Sequence, residues 1–340
     1  MTEEIPAPPK LTAKVAFLLR RAFPEPPEAI ETHLSWVFLT TDRAYKLKKP
    51  SKHPFLDHRS VEARRIDCEA EVELNELLAP GVYLGTVPLT WDRDRGLAIG
   101  GEGKVVDWLI VMRRLAEAAM LDRALAAGTG SVDSGQVEAL VRHLLAFYRS
   151  TDQPPTTPAR YRQSLLEILA IDREELLRPD HALDQHGVVD LTDRLEVAVE
   201  TDGELGERSS RVVDGHGDLR PEHVLLGQNP LVIDRITFDR QLRLIDPVND
   251  LALLAVECER LGAPELGESI LGTYLELAGD PIAHRIVALY RSLRAATRAR
   301  LSVAHLADDG RDAGKWLDRT DAYLLIAKNQ LDRYSREVHR

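Results

Sequence analysis

Cysteine is nearly absent: Cys68 and Cys258 are the only two in 340 residues, and no Cys-x-x-Cys spacing occurs. That excludes a disulfide-stapled scaffold and a zinc knuckle. No apolar run approaches the roughly 20 residues that a membrane-spanning helix requires. The opening Met1-Thr2-Glu3-Glu4-Ile5-Pro6 is acidic and proline-rich, which is wrong for a signal peptide. The expectation is a soluble, cytoplasmic protein without a membrane partner. Positive charge is also short, with 44 Lys and Arg against 55 Asp and Glu, a formal net charge of −11. A global basic field for nucleic acid is therefore missing. There is no P-loop pattern Gly-x-x-x-x-Gly-Lys-[Ser/Thr], no Gly-x-Gly-x-x-Gly loop, no internal repeat and no low-complexity tract.

What remains is globular. Hydrophobic residues make up 44% and charged residues 29%, enough apolar surface for a sizeable core. The length suits two lobes better than one compact core. Residues 1–10 read as a disordered arm, and Leu11 to Phe23 as a short amphipathic helix stopped by Pro24, Pro26 and Pro27. Residues 33–40 and 44–49 are two β-rich runs around Thr41-Asp42-Arg43, the pattern of a hairpin. Residues 58–79 have a helical period, ended by Pro80-Gly81. Strands are expected at 82–89, 97–99 and 104–113. From Ala116 the pattern turns helical, at 118–127, 133–149, 158–176 and 189–200, with loops at 150–158 and 203–210. A β-rich island spans 211–246, with strand-like runs at 231–234 and 242–245. Helices resume at Asp250, with a polar break at 308–314.

This order divides the chain into an arm and helix (1–30), a small β-rich lobe (31–115) and a larger, mainly helical lobe (116–340) carrying the island. The expected class is α+β and two-lobed, with a ligand cleft between the lobes.

The island holds the chemistry. His216-Gly217-Asp218-Leu219-Arg220-Pro221-Glu222-His223 is followed, sixteen residues after Asp218, by Ile233-Asp234-Arg235, and then by Ile245-Asp246-Pro247-Val248-Asn249-Asp250-Leu251-Ala252. Phosphoryl transfer asks little covalent chemistry of a protein. It needs a carboxylate to orient and deprotonate the attacking hydroxyl, and Mg²⁺ to hold the phosphates. Magnesium prefers hard oxygen ligands. A loop aspartate as base, a side chain five residues on and a strand-end aspartate for metal form the kinase arrangement.

With these motifs the chain resembles the aminoglycoside phosphotransferase, or choline-kinase-like, family, whose fold is protein-kinase-like. The resemblance runs from about His33 to about Arg300. It is carried by His33-Leu34-Ser35-Trp36-Val37-Phe38, Tyr45-Lys46-Leu47-Lys48-Lys49-Pro50, Pro54-Phe55-Leu56-Asp57, Met112-Arg113-Arg114-Leu115, His216-Gly217-Asp218-Leu219 and Asp250-Leu251-Ala252. Within the family it is similar to a group of aminoglycoside phosphotransferase family enzymes sometimes fused to a P-loop kinase domain.

The resemblance implies ATP and Mg²⁺ as cofactors, Mn²⁺ as a substitute metal, and a small-molecule hydroxyl as acceptor: a sugar, an amino alcohol or an aminoglycoside-like compound. It makes Asp218 the catalytic base and Asp234 a magnesium ligand. Lys46 or Lys48 pairs the α/β-phosphates. The two alternate on one strand and share a face, and alignment with the kinase Val-Ala-Ile-Lys pattern favours Lys48. The partner glutamate is Glu71, with Glu69 the fallback. Met112, Arg113 and Leu115 belong to the interlobe hinge that meets adenine, and Asp250 braces the catalytic loop. His216 is expected to hold the loop by hydrogen bonds. Asp246 either caps the next helix or lines the acceptor site.

One position departs from the pattern. The kinase spacing puts asparagine five residues after the base, and His223 stands there. A neutral imidazole is a poor Mg²⁺ ligand and suits Zn²⁺, Mn²⁺ or Fe²⁺ better. As a metal ligand, His223 would shift the metal preference. It also motivates two rival readings: a nucleotide-binding pseudokinase, and a metallohydrolase built on His216, Asp218 and His223.

Overall fold

The computed structural model describes residues 9–53, 55–128, 132–307 and 313–338. The expected arm at 1–10 and polar break at 308–314 lie mostly outside these residues, as does Pro54. The chain forms two compact units, Met1–Glu117 with Leu231–Gln241, and Ala118–Pro230 with Leu242–Arg340. The β-rich island is thus shared out, its Leu231–Gln241 stretch belonging with the N-terminal unit.

The first unit starts with α1 (Leu11–Arg20) and continues through β1 (Glu28–Glu31), β2 (Ser35–Leu39), β3 (Arg43–Lys48), β4 (Lys52–His53), β5 (Leu56–Asp57), α2 (Val61–Asn75), β6 (Tyr83–Asp92), β7 (Gly96–Ile99) and β8 (Lys104–Arg113). Six of the strands form an antiparallel sheet in the order β1-β2-β3-β8-β6-β7. The expected hairpin is β2–β3, with Thr40 Oγ1 and backbone closing the turn on Arg43. β1 was not legible, because Glu28-Ala29-Ile30-Glu31 carries only a short, weak alternation. α2 begins three residues later than its period suggests. Ser60 caps it, its Oγ accepting from Ala63 N at 3.0 Å.

Strand alternation gives the sheet two apolar faces. Leu47 and Leu109 pack with Val15 and Leu18 of α1, while Ile110 and Tyr83 pack with Cys68 of α2. Asp107, fully buried in β8, ties both helices to the sheet. It accepts from Lys14 Nζ of α1 at 2.7 Å and from Arg64 Nε and Nη2 of α2 at 2.7 and 2.9 Å. The sequence pairs the α2 glutamates with both Arg64 and Arg65, but Arg64 turns inward to Asp107. Arg65 alone takes that role, with Glu62 and Glu69.

The second unit contains α3 (Leu121–Ala127), α4 (Ser134–Ser150), α5 (Pro158–Leu176), α6 (Gln185–Thr201), α7 (Gly203–Glu207), β9 (Val213–Asp214) and β10 (Val224–Leu225). β11 (Leu231–Val232) falls in the first unit. Then come β12 (Leu244–Ile245), α8 (Pro247–Arg260), α9 (Pro264–Ala278), α10 (His284–Val303) and α11 (Ala313–Val338). Residues 203–210, expected as a loop, are helical. Asp202 caps α7 by accepting from Leu205 N at 3.1 Å, and Leu205 is fully buried. α8 begins at Pro247, three residues before the expected start, because Asp246 caps it and proline is favoured in a first turn. Every residue from Pro247 to Cys258 is buried, and α10 packs against α5, α8 and α11. No helix among the described residues is long and apolar enough to cross a membrane.

Candidate active site

The first unit assembles one half of the predicted set. Lys46 and Lys48 share the α2-facing side of β3, as their spacing requires. Glu71 receives both: Lys46 Nζ at 2.8 Å on Oε1 and Lys48 Nζ at 2.7 Å on Oε2. They differ in their second partner. Lys46 reaches Asp234 Oδ1 at 2.5 Å, whereas Lys48 pairs with Asp67. Burial favours the neutral amine of Lys46, but the charges of Asp234 and Glu71 outweigh it and hold the pKa well above the ordinary lysine value. Lys46 is thus an ammonium at any working pH. Glu69, the fallback partner, lies on the solvent side of α2 with Arg65.

Asp234 has φ 63°, a left-handed backbone uncommon outside glycine but tolerated by aspartate. Its amide donates to Tyr83 Oη at 3.1 Å, and the next amide, of Arg235, donates to Asn75 Oδ1 at 3.0 Å. The Asp234 side chain is 42% exposed and stands beside the Lys46 ammonium. Met112 and Arg113 end β8, opposite Ala44 and Arg43 of β3, and Leu115 packs on the Cys68–Ile110 cluster.

The second unit shapes the His-Gly-Asp loop between β9 and β10. β9 pairs with β12. Asp250, fully buried on α8, accepts from His216 N at 2.7 Å and Gly217 N at 3.0 Å, and also from Tyr148 Oη at 3.1 Å. One helix carboxylate therefore braces two successive loop amides. Gly217 is needed for its φ of 87°. Gly215 is needed for space: a Cβ there would lie 2.6 Å from Ile245 Cγ2 and 2.9 Å from Asp250 Oδ2.

Asp218 emerges with its side chain 26% exposed and ion-paired to Arg220 Nε at 3.0 Å, while Arg220 Nη1 pairs with Glu222 at 2.7 Å. His216 Nδ1 accepts from Asp218 N at 3.3 Å. His223, read from sequence as either a metal ligand or a packing histidine, uses both ring nitrogens inside the loop. Nδ1 lies 2.8 Å from the Asp218 carbonyl, to which it donates, and Nε2 accepts from Arg220 Nη2 at 3.1 Å. A metal at Nε2 would have to displace the Arg220 guanidinium. Among the described residues there is no group of three or more His, Cys, Asp or Glu placed to hold a metal ion. Asp246 caps α8 and is fully buried, its Oδ1 accepting from Val248 N at 2.9 Å.

Burial pushes the Asp218 carboxyl up, but Arg220, then His223, Arg298 and His216, outweigh it and hold the pKa at about 2, below the ordinary 3.8. A depressed carboxyl stabilises the fold above its unfolded pKa, and that contribution is lost as pH falls through the folded value. The stabilisation is about 2 kcal/mol above roughly pH 4, vanishing towards pH 2. Glu257 titrates in the same sense: burial raises it, but Arg298 and Arg260 bring it to about 2. Urea unfolding at pH 5 and pH 2 is expected to show a smaller acid loss for Asp218→Asn than for wild type. Parallel curves for the two proteins would contradict the assignment.

Three residues of this neighbourhood were missed by sequence reasoning. Asp67 and Asn75 share the face of Glu71, one turn to either side, a spacing that could have revealed them. Thr237 had no readable signal.

No protein-family model matches the chain. An uncharacterized protein of Mycobacterium tuberculosis is 30% identical over 312 residues, covering 88% of this chain and 59% of that protein. The chain thus spans about three fifths of the length of the curated relatives it matches. A choline/ethanolamine kinase family protein from Mesorhizobium loti is similar in structure, with TM-score 0.55 at 16% identity, covering 95% of this chain and 98% of that one. The GDP complex of wild-type aminoglycoside 2'-phosphotransferase-IIIa is similar at TM-score 0.54 and 16% identity, covering 95% of this chain and 97% of that one.

Proposed function

We propose, from the protein-kinase-like fold that this chain shares with choline/ethanolamine kinase and aminoglycoside phosphotransferase structures, that it is a phosphotransferase moving the γ-phosphate of ATP to a hydroxyl of a small molecule. The observation that carries the reading is Lys46 held between Glu71 and Asp234. An ammonium fixed by a helix glutamate beside a half-exposed carboxylate suits a polyphosphate and its cation. Glu71 orients Lys46, and Lys46 neutralises phosphate charge. This favours Lys46 over Lys48 as the phosphate partner, since the Lys48 ammonium is buried against Asp67 and Glu71.

Asp234 supplies hard carboxylate oxygen and would hold Mg²⁺, which when bound offsets charge on the phosphates. His223 does not fit a second Mg²⁺ site, and its role is to hold the Asp218 carbonyl and Arg220. Asp218 orients the acceptor hydroxyl and takes its proton. Its low pKa keeps it ionised at neutral pH, ready to accept. Met112, Arg113 and Leu115 remain the proposed adenine-side segment. The acceptor is proposed as a sugar, an amino alcohol or an aminoglycoside-like compound, in keeping with the small molecules in the names of the similar structures.

The test is nucleotide consumption by the purified chain across such a panel, with Mg²⁺ or Mn²⁺ and with ATP or GTP. Lys46→Met is expected to lower kcat/KM for the nucleotide by about 10²-fold. Turnover in the wild type that survives this change intact would end the reading. Nucleotide binding without transfer to any acceptor would favour the pseudokinase reading.

A further inference from the structure

Three buried polar residues recur at four-residue steps along α2: Asp67, Glu71 and Asn75. This spacing puts them on one face, turned to the sheet. A helix face packed on a sheet is ordinarily apolar, so a polar stripe there calls for an explanation. Each member holds a different part of the Lys46–Asp234 site. Glu71 takes Lys46. Asn75 accepts the amide that follows Asp234 and donates Nδ2 to the Glu71 carbonyl at 2.8 Å. Asp67 accepts the hydroxyl of Thr237, three residues beyond Asp234, and pairs with Lys48. His58 Nε2 lies 2.8 Å from the same carboxylate.

We infer that the Asp67–Glu71–Asn75 stripe, with Lys48 and Thr237, is a positioning device that fixes Asp234 for its cation relative to Lys46. The inference rests on the nucleotide reading above. The physical need is clear in the backbone of Asp234, whose left-handed φ persists only where surroundings hold it. The stripe grips the chain at one and three residues past that point, at Arg235 N and Thr237 Oγ1. Lys48 supplies the charge that lets two carboxylates lie buried one turn apart, bridging Asp67 and Glu71. It acts through them rather than on phosphate. A purely structural ion pair would need neither Thr237 nor Asn75.

The experiment measures ADP affinity with and without Mg²⁺, by calorimetry on the full chain, beside thermal unfolding. Thr237→Val removes a single hydroxyl at a partly exposed position and keeps the side-chain volume. It is expected to weaken Mg²⁺–ADP binding by about 10-fold, to change metal-free ADP binding less, and to leave the unfolding temperature close to wild type. Thr237→Ser, which keeps the hydroxyl, restores affinity. Asp67→Asn weakens Mg²⁺–ADP binding likewise, and adding Thr237→Val to it costs little more, because the two changes break one interaction. If Thr237→Val and Asp67→Asn bind Mg²⁺–ADP as wild type does while Lys46→Met loses it, the positioning role is overturned and the nucleotide reading stands. If the wild type binds no nucleotide, both fall.

Discussion

Replacing Asp218 with asparagine is expected to lower turnover by about 10³-fold while leaving Mg²⁺–nucleotide affinity close to wild type. The loop that presents Asp218 is set by groups the substitution does not touch. Asp250 holds the amides of His216 and Gly217, and His223 holds the Asp218 carbonyl. Asparagine has the same shape and keeps the backbone bonds, so what disappears is the negative charge that receives the hydroxyl proton. The phosphate-side groups Lys46, Glu71 and Asp234 are unchanged. The effect should therefore fall on kcat and not on the nucleotide KM. Steady-state kinetics against any accepted hydroxyl compound provides the measurement. Full turnover by the asparagine variant would remove Asp218 from the chemistry. An equal loss in nucleotide affinity would mean that the loop itself had moved.

The second large effect concerns stability. Arg208→Met is expected to cost about 3–5 kcal/mol, read as a lowered urea midpoint. The guanidinium is buried between two aspartates. Nε and Nη2 donate to Asp246 at 2.6 and 2.8 Å, and Nη1 and Nη2 donate to Asp280 at 2.5 and 2.7 Å. Both carboxylates are almost wholly out of solvent. Burial alone would lower the pKa of this guanidinium, but its hydrogen bonds to Asp280 and Asp246 raise it. Removing the cation leaves two buried carboxylates facing each other, where a surface pair of similar geometry would cost about 1 kcal/mol or less. Arg208→Lys should recover only part of the loss, because an ammonium cannot fork across both carboxylates.

The consequence reaches the site. Asp246 also caps α8, and α8 carries Asp250, so the variant is expected to lose activity before it unfolds. A midpoint near that of wild type would show the network to be dispensable.

Neither Arg208 nor Asp280 was legible beforehand. Arg208 stood in a stretch read as loop, where short-range pattern gives an arginine no reason to be buried. Arg64 shows the same limit within a helix that was recognised. Its helical position suggested a surface partner among the α2 glutamates, yet it turns inward to Asp107, 43 residues away. The resemblance named Glu71, with Glu69 as the fallback; the structure turns Glu71 to Lys46 and Glu69 to the solvent side with Arg65.

By itself, the chain determined what local chemistry can dictate. Alternation set β2, β3, β6, β7 and β8, a 3.6-residue period set α2, and Asp246 stood as one candidate cap for the helix after it. His216-Gly217-Asp218 and Asp250 stood out through their resemblance to a kinase catalytic loop and the residue that braces it. Tertiary structure alone gives Lys46 and Lys48 different second partners, Asp234 for the first and Asp67 for the second. Two residues apart on a strand, they share a face and a sequence environment, and only the packing of α2 and of the 231–241 stretch gives Asp234 to one and Asp67 to the other. The same holds for Asp67 and Thr237, which are 170 residues apart and meet because the 231–241 stretch packs with the N-terminal unit. Local propensity acts over a few residues, whereas a buried ion pair is chosen by whatever the completed fold brings within hydrogen-bonding distance.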